Sequence, residues 1–269
     1  MEELNTGREH IKALIHFASS TMDEPKKYAE KYLAFVDILG FKEIVNTKNS
    51  DWIINNIYNE IRKIEVLIHG SLLKNLLPQS TCDLLEFVFI SDSIIISIPK
   101  DLPLALETLV STCLMMQRMF LHKEQPVLFR GAITTGDYFH YNQTTFGPAL
   151  SNAYILESNI AVYPRILIDK SVKIHDICNQ KDTLTKAFCI QDADGYEFLD
   201  YVNFALAFIG DRDKECLHIR TFIEQRMQEF LGVERIYQKY AWLAEKFNKA
   251  LIFYKDIDPK LEKKYTIPL

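Results

Sequence analysis

The run Tyr32-Leu33-Ala34-Phe35-Val36-Asp37-Ile38-Leu39-Gly40-Phe41 closes an apolar strand with a carboxylate and sets a small-residue turn directly behind it. Carboxylates rarely enter apolar strands unless something pairs with them, because a desolvated charge is costly. A second acid repeats the arrangement: Phe87-Val88-Phe89-Ile90-Ser91-Asp92-Ser93 continues into Ile94-Ile95-Ile96-Ser97-Ile98. Ser91-Asp92 between two β-prone runs predicts a tight hairpin with the acid at its tip. Either acid alone reads as a turn cap. Two of them at strand ends, each beside a turn, can converge on one hard cation such as Mg2+ or Mn2+.

The 269 residues suit one domain of ordinary-to-large size, or a core domain with an appended part. Lysine plus arginine total 31 against 36 acids, so the chain lacks the electrostatic footprint of a sequence-independent nucleic-acid binder. The five cysteines are scattered at 82, 113, 178, 189 and 216 with no CxxC pair, which argues against zinc and a disulfide framework and fits a reducing cytosol. No signal peptide is legible over Met1 to Ser20, and the apolar runs are strand length, so neither secretion nor a membrane span is expected.

Along the chain, Ile11, Leu14, Ile15 and Phe17 form a helical stripe over residues 5–20. A first strand is expected at about 31–38, a helix from Asp51 to Leu73, and hairpin strands at about 84–90 and 93–98. A helix follows from Pro103 to about His122. Val127 to Tyr141 alternates as a strand, with Gly131 and Gly136 marking bends or close backbone approaches. Then come a helix from Ala149 to Ala161, a strand at Arg165–Ile168 and a helix from Lys170 to Asn179. Tyr196 to Phe208 is aromatic-rich and of unassigned structure, and Asp213 to Phe253 reads as one or two long helices. The order is α+β and ferredoxin-like, an antiparallel or mixed sheet with helices on one face, plus a C-terminal helical extension.

These residues resemble the catalytic domain of class III nucleotidyl cyclases. The resemblance is carried by Asp37-Ile38-Leu39-Gly40-Phe41, by Ser91-Asp92 in the hairpin, by Arg130-Gly131-Ala132-Ile133-Thr134-Thr135-Gly136, and by Phe146-Gly147-Pro148-Ala149-Leu150-Ser151-Asn152-Ala153-Tyr154-Ile155-Leu156-Glu157, in that order across residues 31–170. It implies a catalytic domain over residues 1–195 and a mainly helical extension over 196–269, packed on the core or on a dimer interface. Val88 and Thr144 occupy the places where purine cyclases read the base with charged or polar side chains. The Asn and Arg that steady the ribose and the transition state have no clean equivalent, since Ile155 or Leu156 takes the Arg place. This variant is similar to the Pycsar-type pyrimidine cyclases of bacterial anti-phage signalling, and Lys239-Tyr240-Ala241-Trp242-Leu243 is compatible with that group.

The resemblance implies a head-to-tail homodimer and two ions per site, Mn2+ or Mg2+, held by Asp37, Asp92 and the carbonyl of Ile38. Amides of Leu39, Gly40, Phe41 and Lys42 would cradle the β- and γ-phosphates; Lys42 reads equally as an exposed helix lysine. Arg165, after Pro164, is the first choice for the cation that supports the transition state, with Arg130 second; a structural ion pair to Glu157 or Asp137 suits either arginine nearly as well. Tyr154 can stack on a small base or be a satisfied core tyrosine. Tyr138, His140 and Tyr141 fall near one strand end, where His140 can meet substrate or simply face solvent. The expected activity is cyclisation of CTP or UTP in the cytoplasm, the product read by a separate effector protein. A purine cyclase, a catalytically degenerate nucleotide-binding or scaffold module, and a polymerase or nuclease of related architecture remain as alternatives.

Overall fold

The computed structural model describes residues 27–70, 77–141, 144–173, 184–207, 211–255 and 257–269. The helix expected over residues 5–20, and residues 174–179 of the helix expected from Lys170, lie outside them. Strand β1 (Ala29–Ile38) is followed by a short helix α1 (Phe41–Thr47). Helix α2 starts at Ser50–Ile53, passes a π-helical turn Ile54–Tyr58 and continues as Asn59–His69. A single turn α3 (Gln79–Cys82) leads to the hairpin β2 (Glu86–Ile90) and β3 (Ser93–Pro99). Then come α4 (Ala105–Leu121), β4 (Phe129–Tyr141), β5 (Thr144–Phe146), α5 (Pro148–Asn159) and β6 (Ile166–Ile168). Past a 3-10 turn at Lys170–Val172, α6 (Leu184–Phe188) and the hairpin β7 (Cys189–Gln191) and β8 (Glu197–Leu199) complete the sheet. Four helices end the chain: α7 (Tyr201–Ala207), α8 (Arg212–Glu229), α9 (Glu234–Phe253) and α10 (Pro259–Tyr265). Among the described residues no helix is long and apolar enough to cross a membrane.

The sheet runs β2-β3-β1-β4-β6-β8-β7, with β5 attached to β4. Its first four strands are mutually antiparallel in the order expected of a ferredoxin-like core, and β6 adds to β4 in parallel. Because β1 is central, both of its faces are covered. Ala34 and Val36 join Ile94 and Ile96 in the large core beneath α2 and α4, while Leu33 and Phe35 join Ile95, Tyr138, Ala149 and Ala153 beneath α5. Strict alternation therefore disappears from the sequence and an unbroken apolar run takes its place. Helix α5 also means that helices cover both faces of the sheet, not the single face expected.

The boundary expected at residues 195/196 falls in the turn of the β7–β8 hairpin. Phe198, Phe204, Ile219 and Leu243 belong to the same buried cluster as Val36 and Leu109, so the helical extension and the sheet share one core. An ionic knot fastens them. Arg165, 1% exposed, donates to Asp192 at 2.6 Å and to Asp194. Lys246 and Trp242 of α9 reach the same Asp192 at 2.5 and 2.8 Å. Tyr163 stacks on Trp242 with ring centres 5.6 Å apart.

Two expectations follow for stability. A Cβ at Gly131 would lie 2.4 Å from the Phe35 carbonyl oxygen and 3.0 Å from Val36 Cα, both backbone atoms of the central strand. Gly131→Ala should therefore cost about 1–3 kcal/mol or more in urea unfolding, as overpacking does. Burial alone would raise the Asp192 carboxyl, but hydrogen bonds from Lys246, Trp242 and the Ala193 amide, with the Lys246 charge, hold it at about 2. Its folded value lies below the unfolded one, about 3.9, so its stabilisation is full above about pH 4 and is lost as pH falls towards 2. Asp192→Asn should cost about 3–5 kcal/mol at pH 7, since it leaves two buried cations short of a carboxylate. The difference from wild type should shrink below pH 4 in acid titrations followed by circular dichroism.

Candidate active site

Register brings the two motif acids together. Asp37 ends β1 opposite Ser93 on one side and Arg130 on the other. The hairpin turn holding Asp92 is tied to it by the Ile38 amide, which donates to the Asp92 carbonyl at 3.0 Å. Ser91 takes a left-handed φ of 58° to make that turn, which places Asp92 near Asp37. Behind Asp37 the chain turns through Gly40 at φ 77°, a conformation glycine adopts without a Cβ penalty.

Arg130 is the charge partner of this corner. Its Nε lies 3.1 Å from Asp37 Oδ2 and 2.7 Å from Glu157 Oε1. The N–H is aimed at Asp37, so the buried Glu157 Oε1 is close to the cation yet accepts no hydrogen bond from it. Glu157, 3% exposed, comes from α5, whose Ser158 hydroxyl satisfies its other oxygen. Burial pushes the Asp37 carboxyl up to about 6; Arg130 opposes the rise, and Glu157 and Asp92 add to it.

Among the described residues no three His, Cys, Asp or Glu side chains are grouped closely enough to cage a metal ion. The corner nevertheless fits a hard cation in its chemistry. It offers the carboxylates of Asp37 and Asp92 and the carbonyl of Ile38, all oxygen donors, beside an orphaned carboxylate oxygen on Glu157. A cation entering there competes with Arg130 for Asp37.

The other expected site residues distribute unevenly. Gly40 and Lys42 are exposed at the start of α1, next to Asp37, and Phe41 packs partly on the core. The Leu39 amide is already used, donating to the Leu128 carbonyl at 2.9 Å, so Leu39 drops out of the expected row of phosphate-facing amides. Tyr154 is 56% exposed on α5 and meets Phe35 edge-on, ring centres 5.7 Å apart, so it is not a satisfied core tyrosine. Val88 is half-buried on β2 against the Leu33–Phe35 cluster.

Thr144 pairs with Tyr141 at the opposite end of β4 from Arg130. That separation is some 11 residues of strand, about 35 Å. His140 lies at that far end as well, 3.1 Å from Glu86, which also binds Lys31. Neither Thr144 nor His140 can meet the Asp37 of its own chain.

Arg165 is the clearest departure from expectation. Its main chain is beside the site, since its carbonyl accepts from the Gly131 amide at 3.0 Å. Its guanidinium is buried against Asp192, Asp194 and the rings of Tyr163 and Phe198. It is a structural arginine, and of the two arginines only Arg130 has its guanidinium at Asp37.

One charged residue outside the expected site set also lies at this corner. Lys239 of α9 reaches the same corner and interacts electrostatically with Arg130, Arg235, Asp37 and Glu157. Its signal in the sequence was the spacing of Arg235, Lys239, Trp242 and Lys246, which sets four side chains on one helical face.

Comparison with known proteins gives structural neighbours alone. No family description matches the chain, and no curated protein does. The catalytic core of a rhodopsin-guanylyl cyclase with converted specificity, in complex with ATPαS, matches at 16% identity and a TM-score of 0.46, covering 66% of this chain and 98% of that one. The adenylyl cyclase CyaB from P. aeruginosa matches at 19% identity and a TM-score of 0.43, over 66% of this chain and 96% of its own. A class III adenylyl cyclase-like ATP-binding protein from Pseudomonas aeruginosa matches at 10% identity and a TM-score of 0.44, over 75% of this chain and 44% of that structure.

Proposed function

We propose that the chain is a metal-dependent nucleotidyl cyclase that converts CTP or UTP to the 3′,5′-cyclic monophosphate and pyrophosphate. The observation that carries the reading is the meeting of Asp37 and Asp92 at one corner of the sheet, with an arginine and a buried glutamate behind them. Asp37, Asp92 and the Ile38 carbonyl would hold Mg2+ or Mn2+, which when bound lowers the pKa of an attacking hydroxyl and offsets charge on the phosphate.

The chain's own side chains supply the rest. Arg130 keeps Asp37 oriented and its charge tolerable inside the sheet, and Glu157 holds Arg130 from the other side. Both would stay in place when Asp37 turns to a cation. Exposed Gly40 and Lys42 lie on the solvent side of the acids, where a triphosphate would approach.

The pyrimidine assignment rests on Val88 and Thr144, short side chains that offer a base no charged contact, and on the exposed Tyr154 ring. The remoteness of Thr144 from Asp37 within one chain supports a head-to-tail homodimer in which one protomer reads the base and its partner holds the acids. We further propose that the cyclic product is a second messenger in anti-phage defence, taken up by a separate effector.

One observation favours a second reading. With Arg165 locked in the ionic knot, the site has one cation fewer for the transition state than the sequence suggests, as expected of a catalytically degenerate nucleotide-binding module. The two readings separate in one assay. Purified protein is incubated with ATP, GTP, CTP and UTP and Mn2+, and the products are identified by mass. A single cyclic pyrimidine nucleotide is expected, falling by about two orders of magnitude or more in Asp37→Ala and Asp92→Ala. A cyclic purine would retain the reaction and overturn the base assignment. Nucleotide binding without any metal-dependent product would leave the binding module.

A further inference from the structure

Arg130 of the sheet and Lys239 of α9 both interact with Asp37. Arg130 is committed to Asp37 and Glu157. Lys239 approaches from α9, and the exposed Arg235, four residues before it and interacting with it, lies on the same helix face. Further along that face Trp242 and Lys246 are fixed to Asp192. The helix is therefore clamped one turn beyond Lys239, and that clamp holds the ammonium over the corner.

What Lys239 lacks is a partner of its own. It is half-buried, and among the described residues its ammonium makes no hydrogen bond or ion pair. Its charged surroundings are Arg130 and Arg235 on one side and Asp37 and Glu157 on the other. The two acids are already shared with Arg130. Burial and the two guanidiniums hold the Lys239 amine below the usual lysine range, against the pull of Asp37 and Glu157. A half-desolvated cation held rigidly beside a second, exposed one calls for a mobile anion rather than a protein carboxylate. Phosphate oxygens suit both an ammonium and a guanidinium.

We propose that Lys239, with Arg235 one turn before it, binds the phosphate oxygens of a nucleotide at the Asp37 site of its own chain. The proposal rests on the reading of that corner as a nucleotide site. It gives α9 a part in the site beyond covering the core.

The test uses the full-length protein and its Lys239→Gln, Lys239→Arg and Arg235→Gln variants, titrated calorimetrically with tripolyphosphate, CTP and UTP in Mg2+. Thermal melting of each variant checks the fold, and product formation is followed in parallel. Wild type should bind tripolyphosphate. Lys239→Gln should bind it and the nucleotide at least about tenfold more weakly with an unchanged melting temperature, one lost charge-assisted contact being of that size. Lys239→Arg should restore most of the affinity, which a merely structural lysine would not require. Wild-type affinity in Lys239→Gln overturns the proposal, and the cyclase reading then survives if product formation still depends on Asp37. Failure of wild type to bind either tripolyphosphate or nucleotide overturns both.

Discussion

A carboxylate at the buried end of a central strand is tolerable only beside a cation, and in this fold the cation must come from a neighbouring strand. Arg130 stands directly across from Asp37 in the β1–β4 ladder, so their pairing fixes the register of the two longest strands. A slip of β4 by one residue would turn Arg130 to the opposite face, away from Asp37. The same ladder requires Gly131, whose missing side chain lets β4 lie against the Phe35 carbonyl. Arginine, glycine and acid thus specify one another, and the corner that holds Asp92 follows from that register.

Arg130 also sets the state of the acids. Asp37 is buried enough that its carboxyl titrates near 6 even with the guanidinium present. Glu157, more deeply buried, leans on the same guanidinium without receiving its N–H. The one Arg130 N–H aimed at Asp37 leaves Glu157 Oε1 without a hydrogen bond, while the Lys239 charge of α9 adds its pull on both acids.

Much of this was legible in the residues. The acid-ended strand, the Ser91-Asp92 hairpin, helix α4 and the long strand β4 all carry their own signals, because each pairs an apolar run with a turn or a cap. The β7–β8 hairpin was not legible: its strands have three residues each, too few for alternation to register. Arg165 misled for a different reason. Its place after Pro164 suggested the site, and its main chain does lie beside the Arg130 strand. The direction of its side chain was decided by Asp192 and Asp194, acids on the hairpin that the sequence did not reveal. Helix α5 itself was expected, but not its place on the second face, because Pro148–Asn159 buries only Ala149, Ala153 and Glu157, a stripe too thin to mark a covering helix.

The ionic knot and the acid corner are coupled through α9. Asp192 draws Arg165 from the sheet and Trp242 and Lys246 from the helix to one point. The distance between Lys246 and Lys239 is then set by the helix, seven residues or about 10 Å along its axis. Arg165 and Arg130 are likewise separated only by the spacing of adjacent strands, since Gly131 bonds the Arg165 carbonyl. With that end anchored, the helix carries Lys239 back to the strand beside Arg165, where it interacts with Arg130. Arg165, expected at the acids, instead helps anchor through Asp192 the helix that carries Lys239. Among the described residues no ion pair joins the buried knot to Asp37 or Asp92, yet loosening it would free the helix face that carries Arg235 and Lys239.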